Sequence, residues 1–443
     1  MNTLVTRRRF GRLAVMTALA ARLGDSAALG IDNSRAQPEN WRSLFPGLDQ
    51  GVQGQPLIYL DSAATTQRAA PVLDAIIDFY RHDNANPGAA LHELAQRARR
   101  RYEGARQTVA KFLNAASAEE IVWVRGTTEG VNLVATAWAR AYLRRNDEIL
   151  LTIAEHASNL LPWRFATEAT GARVRFVDVD EEGRISLQDL DRKLSARTRI
   201  VAFSHVSNVV GYINPVEEIS ARAHRAGARV FVDAAQSAPH IPLDVQALGC
   251  DALAFSSHKM LGPMGIGILW ARADMLEEMS PYQAGSNMAH EVDIEGEVLE
   301  RGAHKFGAGT PNVADAIGLA AAIDLIHSLG REPIARHEAA LTAHMLETMA
   351  DVPGLRLLGP RTAERRIPVF SFTLAGTTPR EVLRQLNSQG IAIRAGDLSA
   401  LPLLKRFGVT EAARASCHLY TSIGEIDRFA TALASIRRRS KVQ

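Results

Sequence analysis

Three short segments hold residues whose types and order describe one chemistry. Phe255-Ser256-Ser257-His258-Lys259 is followed by Gly262-Pro263; Asp233-Ala234-Ala235-Gln236 follows the apolar run Val230-Phe231-Val232; and Arg125-Gly126-Thr127-Thr128-Glu129-Gly130 follows another such run. A strand-end lysine beside a glycine turn can form a Schiff base with an aldehyde. A carboxylate ending a buried strand is costly unless a cation pairs with it, and a pyridinium nitrogen is such a cation. Hydroxyls and backbone N–H groups at a helix N-terminus bind phosphate. Taken singly, such a lysine is ordinarily a solvated surface residue, the aspartate a helix cap and the threonine pair simple capping. Together Lys259, Asp233 and Thr127-Thr128 describe a site for pyridoxal 5'-phosphate (PLP), with the ring as electron sink.

Such residues need strands that end side by side, because open α/β sheets bind ligands at the strand carboxyl ends. Short runs rich in Val and Ile recur at 121–124, 149–153, 174–179, 200–203, 230–232, 253–255 and 266–270, separated mostly by helix-like segments. This alternation predicts an α/β fold with a seven-stranded, mostly parallel sheet buried on both faces. The 443 residues exceed the ~250–300 that one core accommodates. The expected division is a large domain over 61–325, preceded by an arm at 31–60, and a smaller α+β domain over 326–443. In the latter, Pro333 opens a helix with Ile334, Leu341 and Met345 on one face. Strands are expected at 355–358, 369–374, 391–394 and 415–420. Thr378-Pro379-Arg380-Glu381 and Ser422 with Glu425 read as capping boxes.

The formal charge of +3 resolves into two basic tips around an acidic body. Arg7, Arg8, Arg9 and Arg12 lie at one end, and Arg437, Arg438, Arg439 and Lys441 at the other; the body between carries −5. A nucleic-acid binder would instead show a basic stripe on the folded domain. No apolar run approaches the ~20 residues of a membrane span. Thr6-Arg7-Arg8-Arg9-Phe10-Gly11-Arg12, then the apolar stretch 13–21 and the small residues Ala27, Ala28 and Gly30, has the layout of a signal peptide over residues 1–30. It resembles the twin-arginine export signal, which implies a periplasmic enzyme. The competing reading is a basic tail on a cytoplasmic one.

Further motifs carry a resemblance along the chain: Tyr59-Leu60-Asp61-Ser62-Ala63-Ala64-Thr65-Thr66, Glu155-His156-Ala157-Ser158-Asn159, Ser207-Asn208-Val209-Val210-Gly211, Gly309-Thr310-Pro311 and Arg414-Ala415-Ser416. With the three segments above, they make residues 57–434 resemble the PLP-dependent class V aminotransferases of fold type I. Within these, the similarity is to the Suf-type cysteine desulfurases and selenocysteine lyases. The resemblance implies that Lys259 is the Schiff-base lysine and moves the Cα proton. It implies that Asp233 pairs with the pyridine nitrogen, Gln236 with the ring hydroxyl, and that His156 stacks on the ring beside Asn208. Thr127, Ser256 and His258 hold the phosphate, with Thr128 in the same cradle. Thr310 reaches the phosphate of a partner subunit, so a homodimer is implied. Arg414 binds the carboxylate of a small amino-acid substrate, and Arg394 lies on the same substrate side. No metal is expected.

The sequence departs from that family on the substrate side. The Suf-type loop Arg-x-Gly-His-His-Cys-Ala-x-Pro-Leu here reads Arg394-Ala395-Gly396-Asp397-Leu398-Ser399-Ala400-Leu401-Pro402-Leu403. Ser399 stands where the sulfur-accepting cysteine is expected, and serine cannot carry a persulfide. Gly88 and Ala89 replace a His-Arg pair ahead of His92. The two cysteines, Cys250 and Cys417, are expected to be buried and outside the chemistry. The first expectation is therefore a PLP enzyme acting on an amino acid without a persulfide intermediate, with Asp397 and Ser399 as new substrate contacts. Such an enzyme is a lyase, transaminase, epimerase or decarboxylase. The alternatives are a desulfurase or selenocysteine lyase with an unusual acceptor, and a non-catalytic PLP-binding scaffold.

Overall fold

Seven strands form the central sheet of the computed structural model, which describes residues 38–88 and 91–440. They are β1 (Ile121–Val124), β2 (Glu148–Thr152), β3 (Arg173–Val177), β4 (Thr198–Ser204), β5 (Arg229–Asp233), β6 (Ala252–Ser256) and β7 (Gly267–Ala271), in the order β1-β7-β6-β5-β4-β2-β3. Neighbours from β6 to β3 pair in parallel, and β7 runs antiparallel to both β1 and β6. Each strand lies within two residues of its expected place at either end. The legibility is physical: a sheet covered on both faces needs unbroken apolar runs, and every residue of β2, β6 and β7 is buried. Helices fill the connections, and Val313–Leu329 packs on Ala70–His82 and Glu93–Phe112.

A second, antiparallel sheet holds β8 (Leu355–Leu358), β9 (Val369–Leu374), β10 (Arg394–Gly396) and β11 (Ala412–Ser416), in the order β8-β9-β11-β10. Its core joins Phe370, Phe372, Phe429 and Leu433 under the last helix, Ile423–Ser440. Two expected strands need correction. The run at 391–394 breaks at Ile393: Ile391–Ala392 pairs in parallel with Ile58–Tyr59, while Arg394 begins β10. The strand expected at 415–420 is β11, which ends at Ser416, because His418–Thr421 turns back on itself through a Thr421 N–H to His418 O bond of 2.8 Å.

The helix expected from Pro333 begins at Arg331, and Ile334, Leu341 and Met345 are buried on it. The Ser422–Glu425 box closes in both directions, at 2.8 and 3.3 Å. Thr378 accepts from the Glu381 N–H at 3.2 Å, but the Glu381 carboxylate turns to Arg384 instead of reaching back. Trp41 and Phe45 enter the core of the central sheet, together with Tyr420. The expected signal at 1–30 and Ala89 lie outside the described residues. Among the described residues, no single helix is long and apolar enough to cross a membrane.

Candidate active site

The carboxyl ends of β1, β2, β4, β5 and β6 face one cavity of about 360 Å³. Because the parallel strands end at one edge, segments far apart in sequence meet there. Thr127, Thr128, His156, Asn208, Asp233, Gln236, Ser256, His258, Lys259, Arg394, Asp397, Ser399 and Arg414 all border it. Of the residues expected to hold cofactor or substrate, Thr310 does not; it is exposed and accepts a bond from Asn86 at 3.1 Å. Gly88 also lies away from the cavity.

The phosphate-type cradle is built where β1 turns into the helix Thr127–Val134. Gly126, at φ +153°, lets the turn close on β6: a Cβ there would stand 3.0 Å from Ser256 Oγ. Ser256 Oγ accepts from the Thr127 N–H at 2.8 Å and lies 2.8 Å from Thr127 Oγ1. Thr128 donates to Ser158 Oγ at 2.9 Å. The helix N-terminus and these hydroxyls make a site that favours an anion.

Asp233 ends β5 almost fully buried, and its Oδ1 accepts from the Ala235 N–H at 2.9 Å. No described residue hydrogen-bonds its second oxygen. Burial raises the Asp233 pKa, opposed by the Ala235 N–H and by Lys259. Burial also draws the Lys259 ammonium down to about 8; Asp233 opposes this, while Arg414 and Arg394 add to it. A lysine so placed holds a larger neutral, nucleophilic fraction near neutral pH than a solvated one. His156 Nδ1 accepts from the Ser158 N–H at 3.1 Å, which leaves Nε2 to carry the proton. Burial, with Lys259 and Arg414 adding, lowers its pKa to about 4. Gln236 donates to Ala63 O at 2.8 Å.

The substrate side is organised by Asp61, a residue whose motif the sequence displays but whose role it does not. Asp61 accepts from Arg394 Nη2 at 2.8 Å and from Arg414 Nη2 at 3.4 Å. Arg414 also donates to Asn208 O at 3.0 Å, and its buried Nε–H has no hydrogen-bond partner among the described residues. Burial lowers its pKa to about 10, so it remains a cation. Two other contributors escaped sequence reasoning, Ser158 and Glu155. The Glu155 carboxyl is buried, accepts from Asn159 at 2.7 Å, Ser204 at 2.8 Å and Thr152, and is pushed up to about 7 by burial. Its place within the Glu-His-x-Ser-Asn run is the only signal that could have marked it.

Cys250 and Cys417 are free, buried and absent from the cavity lining. Burial raises both thiols far above the ordinary range.

The aminotransferase class-V family model matches residues 58–429. The chain belongs to this family. A cysteine desulfurase of Synechococcus elongatus is 45% identical over 94% of this chain, which spans 65% of that relative's length. The apo structure of a cysteine desulfurase from Thermococcus onnurineus NA1 superposes with a TM-score of 0.85 at 36% identity, covering 90% of this chain and 98% of the other. A C-DES variant, solved with glycine covalently linked to its PLP cofactor, matches at 26% identity and a TM-score of 0.77, over 89% of this chain and 98% of that one. The class-V chain described here is thus a PLP-dependent enzyme of fold type I. Its own residues fit the cofactor: a buried carboxylate with one oxygen that no described residue hydrogen-bonds, a half-buried lysine of lowered pKa and an anion cradle border one cavity.

Proposed function

We propose that this class-V enzyme removes sulfur from cysteine, or selenium from its selenium analogue, and delivers it to a thiol outside the chain. The relatives' names favour the desulfurase alternative over the general amino-acid reading placed first from the sequence. The carrying observation is that Lys259, Asp233 and Arg414 border one cavity that neither cysteine reaches. A second copy of the chain would bring only the same two buried thiols. Cysteine and an external thiol RSH then yield alanine and RSSH: the C–S bond of cysteine breaks, an S–S bond forms, and Cβ gains a proton.

Bound PLP supplies the electron sink for negative charge at Cα. Asp233 would hold the pyridine nitrogen, Gln236 the ring hydroxyl, and Thr127, Ser256 and His258 the phosphate, within a cradle that includes Thr128. His156 would cover the ring face beside Asn208. Lys259 Nζ holds the cofactor and takes the Cα proton. Arg414 binds the substrate carboxylate, with its unpartnered Nε–H as a free donor. A homodimer is supported by the exposed apolar side chains of Ile77, Tyr80, Leu91 and Met264; Thr310 would then serve the partner's phosphate. Arg7, Arg8 and Phe10 support twin-arginine export to the periplasm, which fractionation of an Arg7→Lys/Arg8→Lys variant tests.

The test is incubation of holoenzyme with cysteine and dithiothreitol. Equimolar alanine and sulfide, at a rate that depends on the added thiol, are expected. Pyruvate and ammonia as products, or turnover indifferent to thiol, would overturn the reading.

A further inference from the structure

Two histidines and a glutamate from three distant segments meet in the interior, away from the cavity wall. His240 lies in the turn that follows β5, Glu338 on the helix Arg331–Ala350, and His418 just beyond β11. All three are buried, His418 completely. One ligand atom from each lies within 4.8 Å of those of the other two. None of the three borders the cavity.

The hydrogen bonding within this cluster is uneven. His240 Nδ1 lies 2.9 Å from both oxygens of Glu338. The His418 ring has its centroid 4.9 Å from that of His240 and stacks on Tyr420 at 5.4 Å. Its Nδ1 accepts from the Leu419 N–H at 2.9 Å, and its buried Nε2 has no hydrogen-bond partner among the described residues. A buried polar nitrogen without a partner is costly, and protein interiors ordinarily supply one. Two imidazoles and a carboxylate are donors suited to zinc, whereas magnesium and calcium take oxygen ligands. Around a tetrahedral zinc ion, neighbouring donor atoms stand about 3.4 Å apart. The His240–Glu338 pair is close to that spacing, and His418 has to close in on it.

We propose that His240, Glu338 and His418 form a structural zinc site, with Nε2 as the donor from His418. The ion takes the place of the hydrogen bond between His240 Nδ1 and Glu338. The His240 proton passes to its Nε2 and the His418 proton from Nε2 to Nδ1, where the Leu419 N–H gives up its contact. Both imidazoles stay neutral, and water takes the fourth position. The site would tie the turn that carries Gln236 to the strand that carries Arg414, and both to the helix Arg331–Ala350. No metal is expected from the sequence because His240 and Glu338 are 98 residues apart, and no short ligand spacing marks them.

The test is calorimetric titration with Zn²⁺ of holoenzyme freed of metal by dialysis against a chelator, with the cofactor absorbance as the check on an intact fold. One ion per chain is expected, with a rise in Tm of a few degrees at hundredfold excess over Kd. His418→Ala and, separately, Glu338→Gln should each weaken binding by about a hundredfold or more. Anomalous diffraction from zinc-soaked crystals of the unsubstituted chain should place the ion between the three side chains, and it decides the proposal even where a variant does not fold. Absence of binding, binding of equal strength in both variants, or an ion held only elsewhere on the chain would overturn the proposal.

Discussion

The two sides of the cavity are built on different principles. The cofactor side hangs on strand ends: Asp233 closes β5, Ser256 closes β6, and Thr127 follows β1 across a one-glycine turn. Its side chains are placed by a sheet whose register is set by buried apolar residues. The substrate side hangs on β10, β11 and the 397–399 loop, and it is placed by long-range polar contacts between Asp61, Arg394, Arg414 and Asn208. The first arrangement follows from local pattern. The second requires segments more than 300 residues apart to meet, and there the chain departs from its family's pattern. A fold can therefore keep its cofactor chemistry fixed while loops change what is presented to it.

The contrast can be broken experimentally, most severely at Lys259. Lys259→Ala should reduce turnover by about a thousandfold or more, by loss of the proton-transferring amine. The visible absorbance band of lysine-bound cofactor should vanish with it. Residual turnover within tenfold of the parent would remove Lys259 from the chemistry.

On the substrate side, Arg414→Lys keeps the charge but cannot keep the forked contacts to Asp61 and Asn208. A fall in kcat/KM of about 30- to 100-fold, carried mostly by KM, is expected, with the cofactor band intact. Loss of that band instead would show that the two sides are not separable.

Acid should act beside the cavity, where the buried His205 follows the end of β4. His205, whose N–H donates to Asp233 O at 2.9 Å, is lowered to about 4 by burial, with Arg365 adding. It stays neutral in the fold but protonates near 6.5 when unfolded. Its stabilising contribution is therefore complete above pH 6.5 and is lost as pH falls toward 4, by about 2 kcal/mol at pH 5. Denaturant unfolding at pH 7 and 5 should show this loss, and His205→Gln should blunt it. The substrate loop has no histidine, so Asp397→Asn should leave the pH slope unchanged.

The smallest effect separates the two backbones. Ser399→Gly relieves a left-handed residue, at φ +54°, and should be neutral or stabilising by up to about 1 kcal/mol. Ser256→Gly, at φ −108°, relieves nothing and loses the Thr127 bonds; it should cost about 1–2 kcal/mol. Equal melting shifts would contradict the strain assigned to the loop.

The sequence by itself determined the seven strands, their α/β alternation and the strand-end residues that gather at one cavity. Burial on both sheet faces leaves unbroken apolar runs, and each functional residue stands directly after one. It also put Ser399 where the family resemblance leads one to expect an acceptor cysteine, because a residue type is visible without coordinates. It did not show Asp61 joining Arg394 and Arg414, the three donors around Glu155, or the break at Ile393. Only the tertiary structure decided these, because each depends on which distant segment lies opposite. The same holds for Asp397. Its residue type is plain in the sequence, but that it forms no ion pair among the described residues is a property of the fold, where Asp61 holds both arginines.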